Sequence, residues 1–265
     1  MRYVMTLFQE GDPVVDAPSS AADRAHGRAP VPNRRERART AMLEEIKQTA
    51  MELMREQGSA DVRFSDIARA MGLTAPALYR YYANRDELLT DMIVDAFDDL
   101  AAHLAASVVD VSAGDVGGRL FATATAYRRW ASAEPVRFGL VFGQPVAGYS
   151  APDEGPTTEA AQRAMANLGA LVTLAIERGE LREPLVRDVG PALIAAAAAK
   201  SAGMGHEIPP ATYQAMLHAW AGLHGFTCLE AYGHLKWLGT EAADEIFAAQ
   251  VRTLALAVGL PEPRA

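Results

Sequence analysis

Residues 65–82 read SDIARAMGLTAPALYRYY, and this stretch meets the requirements of two short helices joined by a tight turn. Ala68 is small enough to lie where two helix backbones approach each other. Gly72 accepts the positive φ angle that such a turn requires. The apolar residues of both segments are spaced to face a common core, and they are Ile67, Met71, Leu73 and Leu78. The stretch therefore predicts a helical hairpin.

Helix-boundary signals on both sides extend this hairpin into a unit of three helices. The hydroxyl groups of Ser65 and Thr74 predict N-caps for the two short helices. Upstream, apolar residues recur every three to four positions from about residue 40, which predicts a helix that ends at Gly58. Downstream, Asn84 predicts the cap of a third, long helix with an acidic first turn.

Aromatic hydroxyl groups and positive charges crowd the end of the hairpin. Three of the eight tyrosines are Tyr79, Tyr81 and Tyr82, with Arg80 and Arg85 beside them. Tyrosine and arginine side chains donate hydrogen bonds to phosphate, so this cluster is typical of a helix that lies in a DNA groove. On spacing alone, an ordinary helical hairpin within a core is the alternative.

These residues resemble the tetracycline-repressor (TetR) family of bacterial transcription factors. The resemblance rests on FSDIA at residues 64–68, on GLT at residues 72–74 followed by LYRYY at residues 78–82, and on NRDELL at residues 84–89. It covers roughly residues 40–90.

The resemblance implies an all-α homodimer that binds a near-palindromic operator in double-stranded DNA. It implies a three-helix helix-turn-helix head over residues 34–90. A larger helical-bundle body over residues 91–265 would bind an unknown small-molecule effector and the partner subunit. The function implied is a repressor that its ligand releases from the operator. The alternative is a helical ligand-binding protein without sequence-specific DNA binding.

The resemblance also implies which side chains meet DNA. Small side chains at Ala75 and Pro76 would face base edges, where they can contact thymine methyl groups but form no bidentate hydrogen bonds. Specificity would then depend on Arg63, on Arg80 or on DNA shape. The DNA-contacting residues expected from the resemblance are Arg63, Ser65, Thr74, Ala75, Pro76, Tyr79, Arg80, Tyr81 and Arg85.

The N-terminal region has no helical or strand period. Residues 1–33 are rich in proline, glycine and small polar residues, which predicts a disordered arm. Arg34, Arg35 and Arg37 follow it. Two interpretations of these three arginines stay open: a flexible arm that reaches a minor groove, or a solvated run of charges.

A second resemblance lies in the body. Residues 218–225 read HAWAGLHG and look like the Trp–His–Gly signature of the WHG subfamily. Two further stretches are similar to the same subfamily: YRRWA at residues 127–131 and FGLVF at residues 138–142. The candidate ligand-binding residues are Trp130, Phe138, Phe142, Trp220 and His224, and the alternative is that they pack in the core or a dimer interface.

Packing between helices is the other expectation for the body. Gly222 and Gly225 predict a close approach between two helices. Two late helices, at roughly residues 210–232 and 241–259, carry wide apolar faces that predict a four-helix seam with a second copy. The residues of these faces are Leu217, Trp220, Leu223, His224, Phe226, Ile246, Phe247, Val251, Leu254 and Val258.

Composition excludes several classes of protein. The formal net charge is −8, but residues 34–90 hold 10 basic and 9 acidic side chains, whereas residues 91–265 hold 12 and 20. This balance argues against a nucleic-acid coat protein and permits a small DNA-binding head. A single cysteine, Cys228, excludes an intramolecular disulfide. We expect neither a membrane span nor a signal peptide, and we expect a cytoplasmic protein.

Catalytic motifs are missing from the sequence. It contains no GxSxG, P-loop, GxGxxG after a strand, or HExxH pattern. The six histidines do not pair with cysteine or carboxylate at recognised metal-ligand spacing, and the one combination that stays open is His218 and His224 with Glu230. We therefore expect a protein that is not an enzyme, with no cofactor and no metal.

Overall fold

The computed structural model describes residues 33–143, 146, 148–149, 155–204 and 207–263. All regular structure within these residues is helical, which confirms the all-α prediction. Apart from Asn33, the predicted N-terminal arm lies outside the described residues. The helices are α1 (Arg34–Gln57), α2 (Phe64–Ala70), α3 (Ala75–Leu78), α4 (Arg85–Ala106), α5 (Val116–Ala133), α6 (Pro135–Phe142), α7 (Pro156–Glu177), α8 (Pro191–Met204), α9 (Pro210–Ala231) and α10 (Thr240–Val258), with a short 3₁₀ helix at Lys236–Leu238.

The described residues form two compact units. The head contains residues 33–92 together with 146 and 148–149, and the body contains residues 93–143, 155–204 and 207–263. Helix α4 begins in the head and ends in the body. Within the described ranges, no helix has the length and apolar character needed to cross a membrane.

The first helix begins earlier than its apolar pattern predicts. Asn33 and Glu36 form a capping box: the Glu36 amide donates to Asn33 Oδ1 at 3.0 Å, and the Asn33 amide donates to Glu36 Oε2 at 2.8 Å. Arg34, Arg35 and Arg37 therefore lie on the first turns of α1, and the flexible-arm interpretation of these arginines is wrong. The helix ends at Gly58 with φ 62°, as predicted.

The turn of the helical hairpin follows the prediction. Gly72 has φ +66°, and the Leu73 amide donates to the Ala68 carbonyl at 2.8 Å. Ile67, Ala68 and Leu78 are buried in the head. A left-handed glycine thus lets α3 turn back so that Leu78 packs against α2.

The caps of the two short helices differ from the prediction. Helix α2 begins at Phe64, so Arg63 takes the N-cap position and Ser65 lies inside the helix. The predicted cap at Ser65 is therefore wrong, because the helix already includes the residue before it. Thr74 does occupy the N-cap position of α3, but its hydroxyl makes no capping hydrogen bond.

The start of α4 is fixed by polar contacts within the head. The Glu87 amide donates to Asn84 Oδ1 at 2.9 Å, which confirms the predicted cap. Tyr82 is buried, and its hydroxyl donates to Asp91 Oδ2 at 2.6 Å. Lys47 Nζ of α1 lies 3.7 Å from the same oxygen. These contacts join α1, the end of the hairpin and α4.

The two last helices pack closely in the body. A Cβ atom at Gly222 would lie 3.0 Å from Leu254 Cδ2 and from Gln250 Nε2, so this glycine permits the close contact of α9 with α10. A Cβ atom at Gly225 would meet nothing within 4 Å. The prediction of close approach is confirmed at Gly222, whereas it stays a prediction at Gly225, where no described residue of the chain lies close.

The predicted dimer seam is wrong for many of its residues, because they are buried within the chain itself. The buried members of the two stripes are Trp220, Leu223, Phe247, Val251 and Val258, and these side chains are not available to a second copy. Ile246 is 45% exposed. The wide apolar faces arise because α9 and α10 pack against each other and against the rest of the body.

Candidate DNA-binding and ligand-binding sites

The predicted DNA-contacting residues lie on the hairpin and the start of α4. Most of them are exposed and the rest are partly buried. The exposed ones are Arg63, Ser65, Thr74, Pro76, Tyr79 and Arg80, and the partly buried ones are Ala75, Tyr81 and Arg85.

Tyr79 is the aromatic side chain best placed to reach a phosphate. Its ring packs against Phe64 at a centroid distance of 5.3 Å, yet 55% of the residue stays exposed. Phe64 is buried in the head, and its contact restricts the position of the Tyr79 ring. A side chain restricted in this way loses less entropy when it contacts a ligand.

Arg39 is a residue that the sequence analysis missed. Its guanidinium group donates to the Arg80 carbonyl at 3.2 Å and lies 5.6 Å from the centroid of the Tyr81 ring. Arg39 therefore ties α1 to the end of the hairpin. The only signal for it in the sequence was its place at the end of the basic run that opens α1.

Arg85 is engaged within the head. Its Nε donates to the Val62 carbonyl at 2.9 Å, and its Nη2 pairs with Asp61 Oδ1 at 2.7 Å. These bonds join the start of α4 to the loop before α2. The structure thus gives Arg85 a positioning contact, and its contact with DNA stays a prediction.

The five predicted ligand-binding residues come together in the body as a packed aromatic cluster. Tyr127, which the prediction omitted, lies at its centre: its ring centroid is 5.5 Å from Trp220 and 6.0 Å from Phe142. Phe138 lies 6.4 Å from Trp130, and Trp220 stacks on His224 at 5.2 Å.

Polar groups inside this aromatic cluster satisfy one another. Tyr127 Oη and His224 Nδ1 share a hydrogen bond of 2.7 Å, and Cys228 Sγ lies 3.3 Å from His224 Nε2. Burial raises the pKa of the Tyr127 hydroxyl and of the Cys228 thiol, and it lowers the pKa of the His224 imidazole. All three groups are therefore favoured in their neutral forms. Most of these side chains therefore pack in the core of the body, which was the alternative to a ligand-binding role.

One open space in the body lies beside the aromatic cluster. A cavity of about 990 Å³ is formed by side chains of α5, α7, α9 and α10, together with Lys200 of α8 and nearby loop residues. Trp220 is the one predicted ligand-binding residue that lines it. Among the described residues, the polar side chains of the lining are Gln162, Thr173, Glu177, Lys200 and Tyr213.

The same aromatic cluster is bonded to α4. Trp130 Nε1 donates to Asp99 Oδ2 at 2.8 Å, and Arg137 Nη1 pairs with the same oxygen at 2.8 Å. Asp99 lies on the part of α4 that belongs to the body. One wall of the cavity, Trp220, is thus linked through packed rings and a hydrogen bond to the helix that begins in the head.

The described residues contain no group of three or more histidine, cysteine, aspartate or glutamate side chains that could hold a metal ion.

Comparison with known families decides the identity of the chain. A family model described as "Bacterial regulatory proteins, tetR family" matches residues 46–92. A second model, described as "Tetracyclin repressor-like, C-terminal domain", matches residues 120–254, which is more than half of the chain. The chain belongs to the TetR family. The WHG subfamily stays a prediction, because the matching model of the TetR body carries another description.

Relatives of this TetR chain are regulators. The HTH-type transcriptional regulator Rv1816 of Mycobacterium tuberculosis (strain ATCC 25618 / H37Rv) is 32% identical over 216 residues, which are 80% of this chain and 91% of that protein. The crystal structure of SCO4313, described as a regulatory protein, is 33% identical, with a TM-score of 0.65 over 84% of this chain and 98% of that one.

The TetR regulator PfmR of Thermus thermophilus shares the fold, with 18% identity and a TM-score of 0.51 over 82% of this chain and 99% of that one. Together, the family models and the more similar relatives identify a DNA-binding transcriptional regulator of the TetR family.

Proposed function

We propose that this regulator is a homodimeric repressor that a small molecule releases from a near-palindromic operator. The observation that carries the proposal is the pairing of two features in one chain. The head exposes Tyr79, Arg80 and Thr74 on a helix-turn-helix, and the body contains a largely apolar cavity of about 990 Å³. Its proposed place of action is the cytoplasm, where bacterial DNA lies.

On the head, the proposed contacts divide by chemistry. Tyr79, Tyr81 and Thr74 bind phosphate oxygens, which sets the position of the head on the duplex. Ala75 and Pro76 contact base edges through their apolar surfaces. The remaining proposed contacts come from charged or polar side chains at the edges of the hairpin, and they are Arg63, Ser65, Arg80 and Arg85.

The second copy would cover the outer face of α9 and α10. Exposed apolar side chains remain there after the inner faces are buried: Leu229 and Tyr232 at the end of α9, and Ile246 and Leu256 on α10. Gly225, which faces open space, would let a partner helix approach. A two-fold axis through this face would present two heads to the two halves of an operator.

Ligand release would act through α4. A molecule in the cavity contacts Trp220, whose ring belongs to the cluster that holds Trp130 and, through it, Asp99 of α4. A ligand that fits only one arrangement of this cluster shifts the population of α4 positions. Bound ligand would then lower the affinity for DNA. Because such coupling is reciprocal, bound DNA would lower the affinity for the ligand by the same factor.

Selection of genomic fragments tests the proposal. The purified full chain is used to enrich bound fragments of the source genome, and the most enriched fragment is titrated at two salt concentrations. We expect a near-palindromic site whose affinity falls steeply as salt rises, because bound phosphates release counterions. Failure to enrich any site at low salt would contradict the proposal.

A further inference from the structure

The lining of the cavity is mostly apolar but includes charged side chains. Most of its lining is hydrocarbon, contributed by leucine, isoleucine, valine, methionine and alanine side chains, with a smaller share from the polar side chains named above. Among the described lining residues, the charged ones are Lys200 and Glu177. Glu177 is exposed to solvent, whereas Lys200 is partly buried. Lys200 is therefore a partly buried cation in the lining of a largely apolar cavity.

The environment of Lys200 disfavours its charge. Removal of water from the ammonium group by burial lowers the pKa of Lys200. Lys200 also takes part in contacts within the chain. An anion placed beside the ammonium group would add a charge-assisted hydrogen bond at this wall of the cavity.

The size of the cavity limits the rest of the ligand. A volume of about 990 Å³ lies at the upper end of the range of small-molecule sites, roughly 300–1,000 Å³. A small polar metabolite would leave most of this apolar wall in contact with water. A large hydrocarbon body would bury the wall, and burial of apolar surface is the main source of affinity in such sites.

We propose that the effector is an amphiphilic anion, with a large hydrocarbon body in the cavity and a single acid group bound by Lys200. This inference rests on the proposed role of the cavity as the ligand site and adds the chemical class of the ligand. The walls contributed by Trp220 and the aliphatic residues of α7 hold the body. Lys200 of α8 sets its orientation.

Two fluorescent probes that differ in one charged group test the inference. 8-Anilino-1-naphthalenesulfonate carries a sulfonate, and N-phenyl-1-naphthylamine is the matched neutral molecule. Both gain fluorescence in apolar surroundings, so the full-length protein can be titrated with each probe. We expect both to bind and the anionic probe to bind more tightly than its apolar body alone would allow.

Variants at Lys200 separate charge from shape. K200M keeps a long apolar side chain, and we expect it to lower the ratio of anionic to neutral probe affinity by about tenfold or more, as for loss of a charge-assisted hydrogen bond. K200R keeps the charge and should restore most of the ratio. Ala219 also lines the cavity, and A219F should weaken both probes. Circular dichroism checks that each variant is folded.

The outcomes distinguish this inference from the proposed function. An unchanged ratio in K200M, with the binding of both probes still weakened by A219F, would overturn the anionic class while the cavity remained a ligand site. Failure of both probes to bind the wild-type protein, or binding that A219F does not alter, would count against the cavity as a ligand site and therefore against both proposals.

Discussion

Tyr79 is 55% exposed, and its ring packs against that of Phe64. If the hydroxyl binds a phosphate, Y79F should weaken binding to specific and non-specific DNA by the same factor, about tenfold or more for one hydrogen bond to a charged group. Y79A should lose more, because the ring position is lost as well. The measurement is fluorescence anisotropy with an operator and a scrambled duplex. Equal affinities of wild type and Y79F would remove Tyr79 from the phosphate contacts.

We expect His224 to make the stability of the body depend on pH. Burial lowers the pKa of the folded imidazole below its ordinary value of about 6.5. As pH falls below about 6.5, the unfolded chain binds a proton that the folded body resists, so the free energy of unfolding decreases. Above that pH the contribution is fully present. The decrease stops once the folded imidazole also protonates.

Urea unfolding at neutral and mildly acidic pH measures this dependence. H224Q removes the titrating group and keeps a polar side chain near Tyr127, so it should flatten the curve over that range. A variant whose stability falls with pH as steeply as the wild type would show that another group controls the acid sensitivity.

Individual residues could be predicted where the signal is local. Gly72 and Asn84 act on neighbours within four positions, so their residue types suffice to assign them. Arg39 and Tyr127 could not be assigned, because their partners lie 41 and 97 positions away in the chain. Only the folded chain brings such partners together. The same reason explains why Lys200 was not recognised as part of the cavity wall.

At the scale of elements, the hairpin depends on the left-handed conformation of Gly72. A Cβ atom there would meet nothing within 4 Å, so the cost of substitution comes from the φ angle alone. We expect G72V to lower the free energy of unfolding of the head by about 1–2 kcal/mol or more, because a β-branched residue resists φ > 0. G72N should cost less, since asparagine tolerates this conformation.

Thermal unfolding of the two variants, followed by circular dichroism, measures the difference. Similar melting of G72V and wild type would refute the importance of the turn.

Helix boundaries were harder to predict than helix identity. The apolar period of α1 begins near residue 40, but the capping box at Asn33 extends the helix through the run of arginines. The first turns of α1 consist mainly of charged residues, so the spacing of apolar residues does not reveal where the helix begins. The wide stripes of α9 and α10 were recognised correctly, yet a sequence pattern does not say whether the chain itself or a partner covers them.

At the scale of the whole molecule, substitutions on the proposed dimer face should prevent dimer formation without unfolding the chain. The proposed dimer face contains Leu229 and Ile246, which are both about half exposed. The double variant L229E/I246E should remain helical but dissociate, because it places four like charges at the interface of two copies. Its operator affinity should fall by more than tenfold, since one head contributes only half of the contacts.

Sedimentation over a range of protein concentrations measures the assembly state. L185E is a matched control, because Leu185 is exposed in the loop between α7 and α8. It should leave assembly unchanged. A dimer that persists in the double variant would place the interface elsewhere.

Helix α4 contains 22 residues without a break, and its length has a mechanical consequence. At 1.5 Å per residue, the part of it from Asp99 back to Arg85 spans about 21 Å. A tilt of about 9° around Asp99 would move the end at Arg85 by roughly 3.4 Å, the rise of one base pair. A stiff helix of this length would therefore convert a small tilt at Asp99 into a displacement of about one base-pair rise at Arg85.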